Sequence, residues 1–419
     1  MRELIKDYFR LEKVILNVII AEFFLQLINA AFLSFLPLYM RNENYPDSEI
    51  ANYTSYRFIG VLILAVFVGL YIKGRKVKSF FYLSAFFVPA FALLILYSVH
   101  THNAWLNYTA QIGWGASFTF MQIPILPFIL RNCPKPQQTS AISLSFATWS
   151  VASITGSSFV WIAGSLAPDF FNVRMLLHVI SVSGFVSLFF IYRMRITEEI
   201  VPIAKQKKEG TSGERIRSID WGIIIKALLP TLLLAVGAGF TIPFISLFFE
   251  SVYDFDATKF STINIVASAL IAFSAMLVPS IKKNIGYRVA IPATQSFAII
   301  ALILMATTQF YSTMPMAVWI AVGAYLLRQP LMNLAGPMTS EVVMNYVGKK
   351  NREMMSALTA AIWSGSWFFS GKIFGSLRKE GVDYVNIFMI TAALYTVGVI
   401  CYYILILDHD KREKEGKLA

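Results

Sequence analysis

The chain has 419 residues, of which 57% are hydrophobic, 15% aromatic and only 14% charged, and its mean hydropathy is +0.61. A water-soluble domain carries about a quarter charged residues, so this balance excludes one and points to an integral membrane protein. Apolar stretches recur from end to end, which also excludes a soluble domain held by a single anchor.

Taken in chain order, the stretches predict twelve spans: 14–40, 50–72, 79–99, 105–130, 139–165, 173–194, 221–249, 259–281, 288–311, 315–346, 353–377 and 384–407. Each is long enough to cross a hydrocarbon layer of about 30 Å as a helix. The ten-residue alternating segments of a membrane β-barrel are absent. Polar punctuation such as "RNENYPDSE", "KGRKVK" and "RNCPKPQQ" separates the spans. The first span runs well past the apolar length of a signal peptide, and no small-residue cleavage site follows it. Cys133 and Cys401 lie far apart with no metal-ligand spacing.

With the N-terminus in the cytoplasm, both tails and the even-numbered connections hold most of the 36 Lys and Arg. This is the positive-inside bias, so the net charge of +12 is a topology signal and not a nucleic-acid footprint. Both termini are expected to be cytoplasmic.

One long polar connection, 195–219, falls at the midpoint and divides the chain into an N-terminal half, 1–194, and a C-terminal half, 220–419. The halves echo each other: "NAAF" at 29–32 aligns with "GAGF" at 237–240, and "TWS" at 148–150 with "IWS" at 362–364. Parallel six-helix repeats are the layout of one large transporter class.

On these features the chain resembles a member of the major facilitator superfamily over nearly its full length. The connection "GLYIKGRKVK" is similar to that family's Gly-plus-basic signature between spans 2 and 3, although it is shorter and lacks the usual Asp. Its counterpart "PSIKKNIGYR" has Gly286 and Arg288 in place, with Lys283 where an acid is usual. The segment "YLLRQPLMNLAGPMTSEVV" and the following "IWSGSW" read like spans 10 and 11 of bacterial members. The resemblance implies an all-α membrane protein with twelve helices in two pseudo-repeats. It also implies a monomer in the bacterial inner membrane, a secondary transporter working by alternating access, and a cavity lined by spans 1, 4, 7 and 10. A small molecule, protons and membrane lipids are the expected partners, and no cofactor is expected.

Glu22, Gln26 and Asn29 are spaced i, i+4, i+7 and share one face of span 1. A charge at mid-bilayer costs roughly 3 kcal/mol even on the lenient scale, so this stripe is expected to face protein or water. A carboxyl taken out of water titrates closer to neutrality, as a proton carrier must. Glu22 is therefore either the coupling group or a carboxyl locked in a structural ion pair or hydrogen bond, with Arg57 and Arg328 as candidate ionic partners. Arg57 either snorkels outward or bridges across the cavity mouth. Arg328 is deeper and keeps its charge, so it requires an acid or an anionic substrate.

The expected cavity wall adds Gln111, Trp114, Phe118 and Gln122 on span 4, Thr241 on span 7, and Gln329 and Asn333 on span 10. Amides mixed with aromatics suit a substrate of mixed polarity, and ordinary helix packing is the competing account. Arg75, Arg288 and Glu341 are candidates for a cytoplasmic gate, with Glu341 paired to Arg288 or to the basic cluster 349–352. His100, His102 and His178 lack supporting ligands, so no metal site is expected. No phosphate loop and no hydrolase or metalloprotease motif occurs, so neither ATP-driven transport nor an enzyme is expected. The aromatic walls lean towards proton-coupled export of amphipathic compounds. Uptake of a sugar or organic acid is the alternative, and a lipid flippase or a non-transporting sensor is the reading from another class.

Overall fold

A computed structural model of the chain describes residues 11–72, 75–167, 170–194 and 221–415. The long connection expected at 195–219 lies outside the described residues. The described chain is helical throughout, as lipid requires: backbone N–H and C=O groups with no water available must bond within their own segment.

In chain order the helices are α1 (Lys13–Asn42), α2 (Asp47–Tyr71), α3 (Lys78–His100), α4 (Ala104–Asn132), α5 (Lys135–Leu166), α6 (Val173–Ser183), α7 (Val186–Arg193), α8 (Trp221–Thr241), α9 (Ile245–Tyr253), α10 (Ala257–Ile285), α11 (Tyr287–Thr307), α12 (Pro315–Tyr346), α13 (Gly348–Lys379) and α14 (Tyr384–Lys414). Their starts follow local chemistry. Asn103 accepts from the Leu106 amide at 3.0 Å, Asn172 from Met175 at 2.9 Å, and Asp256 from Lys259 at 2.7 Å, each satisfying one orphan donor of a first turn.

Among the described residues, ten segments are long and apolar enough to cross a membrane. All twelve expected spans fall on helices, but α12 and α13 do not meet that apolar criterion. Each has 32 residues, about 48 Å of helix, so length is not what disqualifies them. Arg328, Gln329, Asn333 and Glu341 dilute the apolar content of α12. The seventh expected span is also not one helix. A 3-10 turn at Ile242–Phe244 separates α8 from α9, because Pro243 has no N–H to give the Gly239 carbonyl.

The chain divides into two compact units: residues 1–205 with 255–265, and residues 206–254 with 266–419. In the first, α1 packs along α5 and against α6 and α7, while α2 and α3 pack on α4. The α2–α4 contact is backbone on backbone. A Cβ at Gly60 would sit 2.2 Å from the Ile112 carbonyl oxygen, and one at Gly115 only 1.9 Å from that of Arg57. Small residues allow this approach, which draws Arg57 against the middle of α4. The first turns of α10 also belong to this unit. Phe260 meets Phe35 edge-on, and Asn264 donates to Ser157 at 2.9 Å and to Ser34 at 3.3 Å.

In the second unit, α8 packs on α13 and α14, and α11 on α12 and α14. Here too glycines set the spacing: a Cβ at Gly237 would lie 2.7 Å from the Tyr395 ring.

Candidate functional site

The first unit gathers its polar interior around α1. Glu22 is buried at 5% exposure and accepts a hydrogen bond from the Ser145 hydroxyl of α5 at 2.7 Å. The Gln26 amide lies beside it one turn on, and Asn29 donates to Gln26 at 3.2 Å. The stripe read from the i, i+4, i+7 spacing is thus one connected chain. No ion pair engages Glu22 among the described residues; its partners are a hydroxyl and an amide.

Arg57 is not paired with Glu22. Its guanidinium lies 5.1 Å from the Phe58 ring and 5.7 Å from the Trp114 ring, at 4% exposure, and its Nε has no hydrogen-bond partner. It does not snorkel, and among the described residues it bridges to no acid. Trp114 is itself held between Phe32 and Phe118, with ring centroids 6.0 and 5.8 Å away. On the same α4 face, Gln111 is buried with its Nε2 unpartnered, as is the Trp114 Nε1. Asn107, one turn earlier, has no exposure and neither amide atom partnered. The sequence reading missed Asn107, although 107, 111 and 114 continue the helical spacing. Gln122 lies further along α4 and is exposed.

In the second unit Arg328 is 1% exposed, with Nε and Nη2 unpartnered and no ion pair among the described residues. The Tyr395 hydroxyl of α14 lies next to it and is itself unpartnered by strict geometry. Tyr325, one turn before Arg328, meets Phe249 edge-on at 5.7 Å and has the Gln329 amide by its hydroxyl. Leaving a buried charge unpaired costs several kcal/mol, so an arginine retained in this state points to a partner not fixed within the chain. Asn333 is exposed and donates to the Gln329 carbonyl along its own helix. Thr241 has no exposure and donates to Thr391 at 2.8 Å, which places it in the α8–α14 packing and not on an open wall.

The three gate candidates are all exposed. Glu341 pairs with neither Arg288 nor, as far as the described side chains reach, the cluster 349–352. Its partner is Lys282 of α10 at 2.7 Å, with Tyr287 beside both. The reason is register: the last turn of α10 brings Lys282 alongside the C-terminal part of α12. Arg288 instead faces a cavity of about 400 Å³ lined by Asp410, Lys411, Lys414 and Glu415. Arg75 stacks on Tyr71 at 4.1 Å, and Arg131 donates to its carbonyl. His409, Asp410 and Glu413 bring ligand-type atoms within 4.8 Å of one another at the end of α14, an arrangement common on solvated helix ends.

Comparison with known proteins agrees with this architecture. The family described as the Major Facilitator Superfamily matches residues 18–371. Similar solved structures include a mutant of the nucleoside transporter NupG, at TM-score 0.72 and 13% identity, covering 94% of this chain and 99% of that one. The POT family transporter PepTSo is similar at TM-score 0.72 and 12% identity, with 96% and 99% covered. A D-xylose-proton symporter follows at TM-score 0.71 and 12% identity, with 93% and 96% covered. At such identities the likeness establishes the fold alone. No curated protein matches the chain at a significant level.

Proposed function

Because the chain belongs to the Major Facilitator Superfamily, we propose that it is a proton-coupled secondary transporter, with Glu22 as the proton carrier and a small amphipathic organic solute as cargo. One observation carries the reading: Glu22 is a buried carboxyl held by Ser145 and Gln26 and, among the described residues, by no cation. A carboxylate locked in an ion pair has no reason to release and reload a proton. One held by a hydroxyl and an amide in a water-poor interior exchanges its proton as access to water changes. Aromatic surfaces at Trp114, Phe118 and Phe32 supply the apolar part of a mixed site. These walls favour export of amphipathic compounds. Uptake of a polar nutrient is supported by a different observation, the unpartnered buried amide of Asn107 and the unpartnered amide nitrogen of Gln111.

The test is a thermal-shift screen of purified protein against metabolites, drugs and lipids at about pH 5.5 and about pH 8, run in parallel with Glu22→Gln. Coupling at Glu22 requires a ligand whose stabilisation depends on pH in the wild type and not in the variant. A ligand indifferent to both pH and the substitution makes Glu22 structural and the protein a facilitator or sensor.

A further inference from the structure

We infer that Arg328 and Tyr395 form a carboxylate-binding subsite in the second unit, and that the ligand is an organic anion with one carboxylate on an apolar body. The inference rests on the transport reading only in taking that anion as cargo.

The geometry that points to it is the identity of the unpartnered atoms. Nε and Nη2 of Arg328 are the two nitrogens of one guanidinium edge, whose N–H bonds run parallel. That edge is the one that takes both oxygens of a carboxylate at once. A side chain placed only to fill space, or to pair with a helix carbonyl, would have no reason to leave this edge whole. The Tyr395 hydroxyl lies within hydrogen-bond reach of the guanidinium, from which its oxygen can only accept, so its own O–H remains as a third donor. Three donors and one positive charge match a single carboxylate. A phosphate monoester, carrying nearly two charges, would remain under-compensated.

The surroundings fit the rest of the ligand. Tyr325 and Phe249 present an aromatic corner on the Arg328 side of α12, and the Gln329 amide stands beside Tyr325. A proline inside one helix and a break in another flank the site. Pro330 follows Arg328 by two residues and removes a backbone bond to the Leu326 carbonyl. Near Gly237, which touches the Tyr395 ring, α8 gives way to the 3-10 turn at Ile242–Phe244. Arg328 is closed off at 1% exposure, so the anion enters when these loosened segments part. Interrupted membrane helices are where transporters place polar backbone and ligands.

The test uses purified full-length protein and matched probes: benzoate, phenylacetate and hexanoate, each against its own uncharged amide, by isothermal titration. At least one carboxylate should bind roughly tenfold or more tightly than its amide, as charged hydrogen bonds require. Arg328→Lys keeps the charge but not the two-pronged edge, and should abolish most of that preference. Tyr395→Phe keeps the ring against Gly237 and should weaken the carboxylate about three- to tenfold while sparing the amide. If Arg328→Lys does not fold, Tyr395→Phe decides alone. A wild type with no preference for any carboxylate overturns the inference, as does a preference that survives the substitutions. Proton flux that depends on Glu22 is measured separately, so the transport reading stands or falls on its own.

Discussion

Ser145 of α5 gives its hydroxyl hydrogen bond to Glu22 of α1 at 2.7 Å, inside the first unit and away from any cation that acts on the carboxylate. A hydrogen bond to a charged acceptor is worth about 1.5–3 kcal/mol, and one to a neutral group about half as much. Ser145→Ala should therefore destabilise the protein more where the carboxyl is charged than where it is protonated. Melting curves at about pH 8 and about pH 5.5 should show the larger loss at the higher pH. An equal loss at both would mean that Glu22 does not change its protonation state over this range.

Asn107 makes the opposite trade. Both its amide atoms are buried and unpartnered, so replacing it with an apolar group of similar size removes a desolvation cost and no bond. Asn107→Leu is expected to hold or raise stability, by about 1 kcal/mol, while impairing ligand-dependent stabilisation. A variant that melts much earlier than wild type would show that the amide bonds something inside the fold, and the ligand reading of this α4 face would go with it.

The glycines of the α2–α4 contact allow a test of packing without chemistry. Gly115→Ala puts a methyl 1.9 Å from a backbone oxygen that no rotamer change can move. Overpacking of this kind costs about 1–3 kcal/mol, and here it falls on two backbones at once. Gly60→Ala should behave alike. Gly69→Ala on the same helix meets nothing within 4 Å and serves as the control. Melting temperature and monodisperse yield should drop for the first two and not for the third.

Much of this was legible in the chain, for reasons that differ by element. Ten of the span positions follow from apolar length, because the bilayer imposes one requirement on every helix, while those of α12 and α13 are diluted by polar residues. The Glu22, Gln26 and Asn29 stripe was legible because helical spacing is local. The Ser145 contact was not: it joins residues 123 positions apart, and a serine in "SLSFATWS" has no pattern to distinguish it. The broken seventh span was written in Pro243, but prolines also sit inside unbroken helices here, such as Pro37 in α1 and Pro89 in α3. The partner of Glu341 depended on rotation of α10, which fixes Lys282 rather than Arg288 beside it and which charge counting does not give.

That partner decides what Glu341 does. Lys282 and Glu341 both belong to the second unit, so their 2.7 Å contact ties α10 to α12 and cannot by itself latch one half of the chain to the other. Both side chains are well exposed, at 42% and 45%, and exposed pairs contribute little and less in salt. The Glu341 carboxylate, with Tyr287 beside it, holds the Lys282 ammonium above the ordinary lysine value. A value raised on folding means that the pair's contribution is complete below the unfolded lysine value of about 10.4, and is lost as pH rises through the higher folded one. Glu341→Gln should accordingly lower the melting temperature slightly in low salt at neutral pH, and the difference should vanish in high salt or strong alkali. Cytoplasmic accessibility of engineered cysteines should match wild type. A shift in that accessibility would show that Glu341 also answers to a residue outside its own unit, and would restore it as a gate.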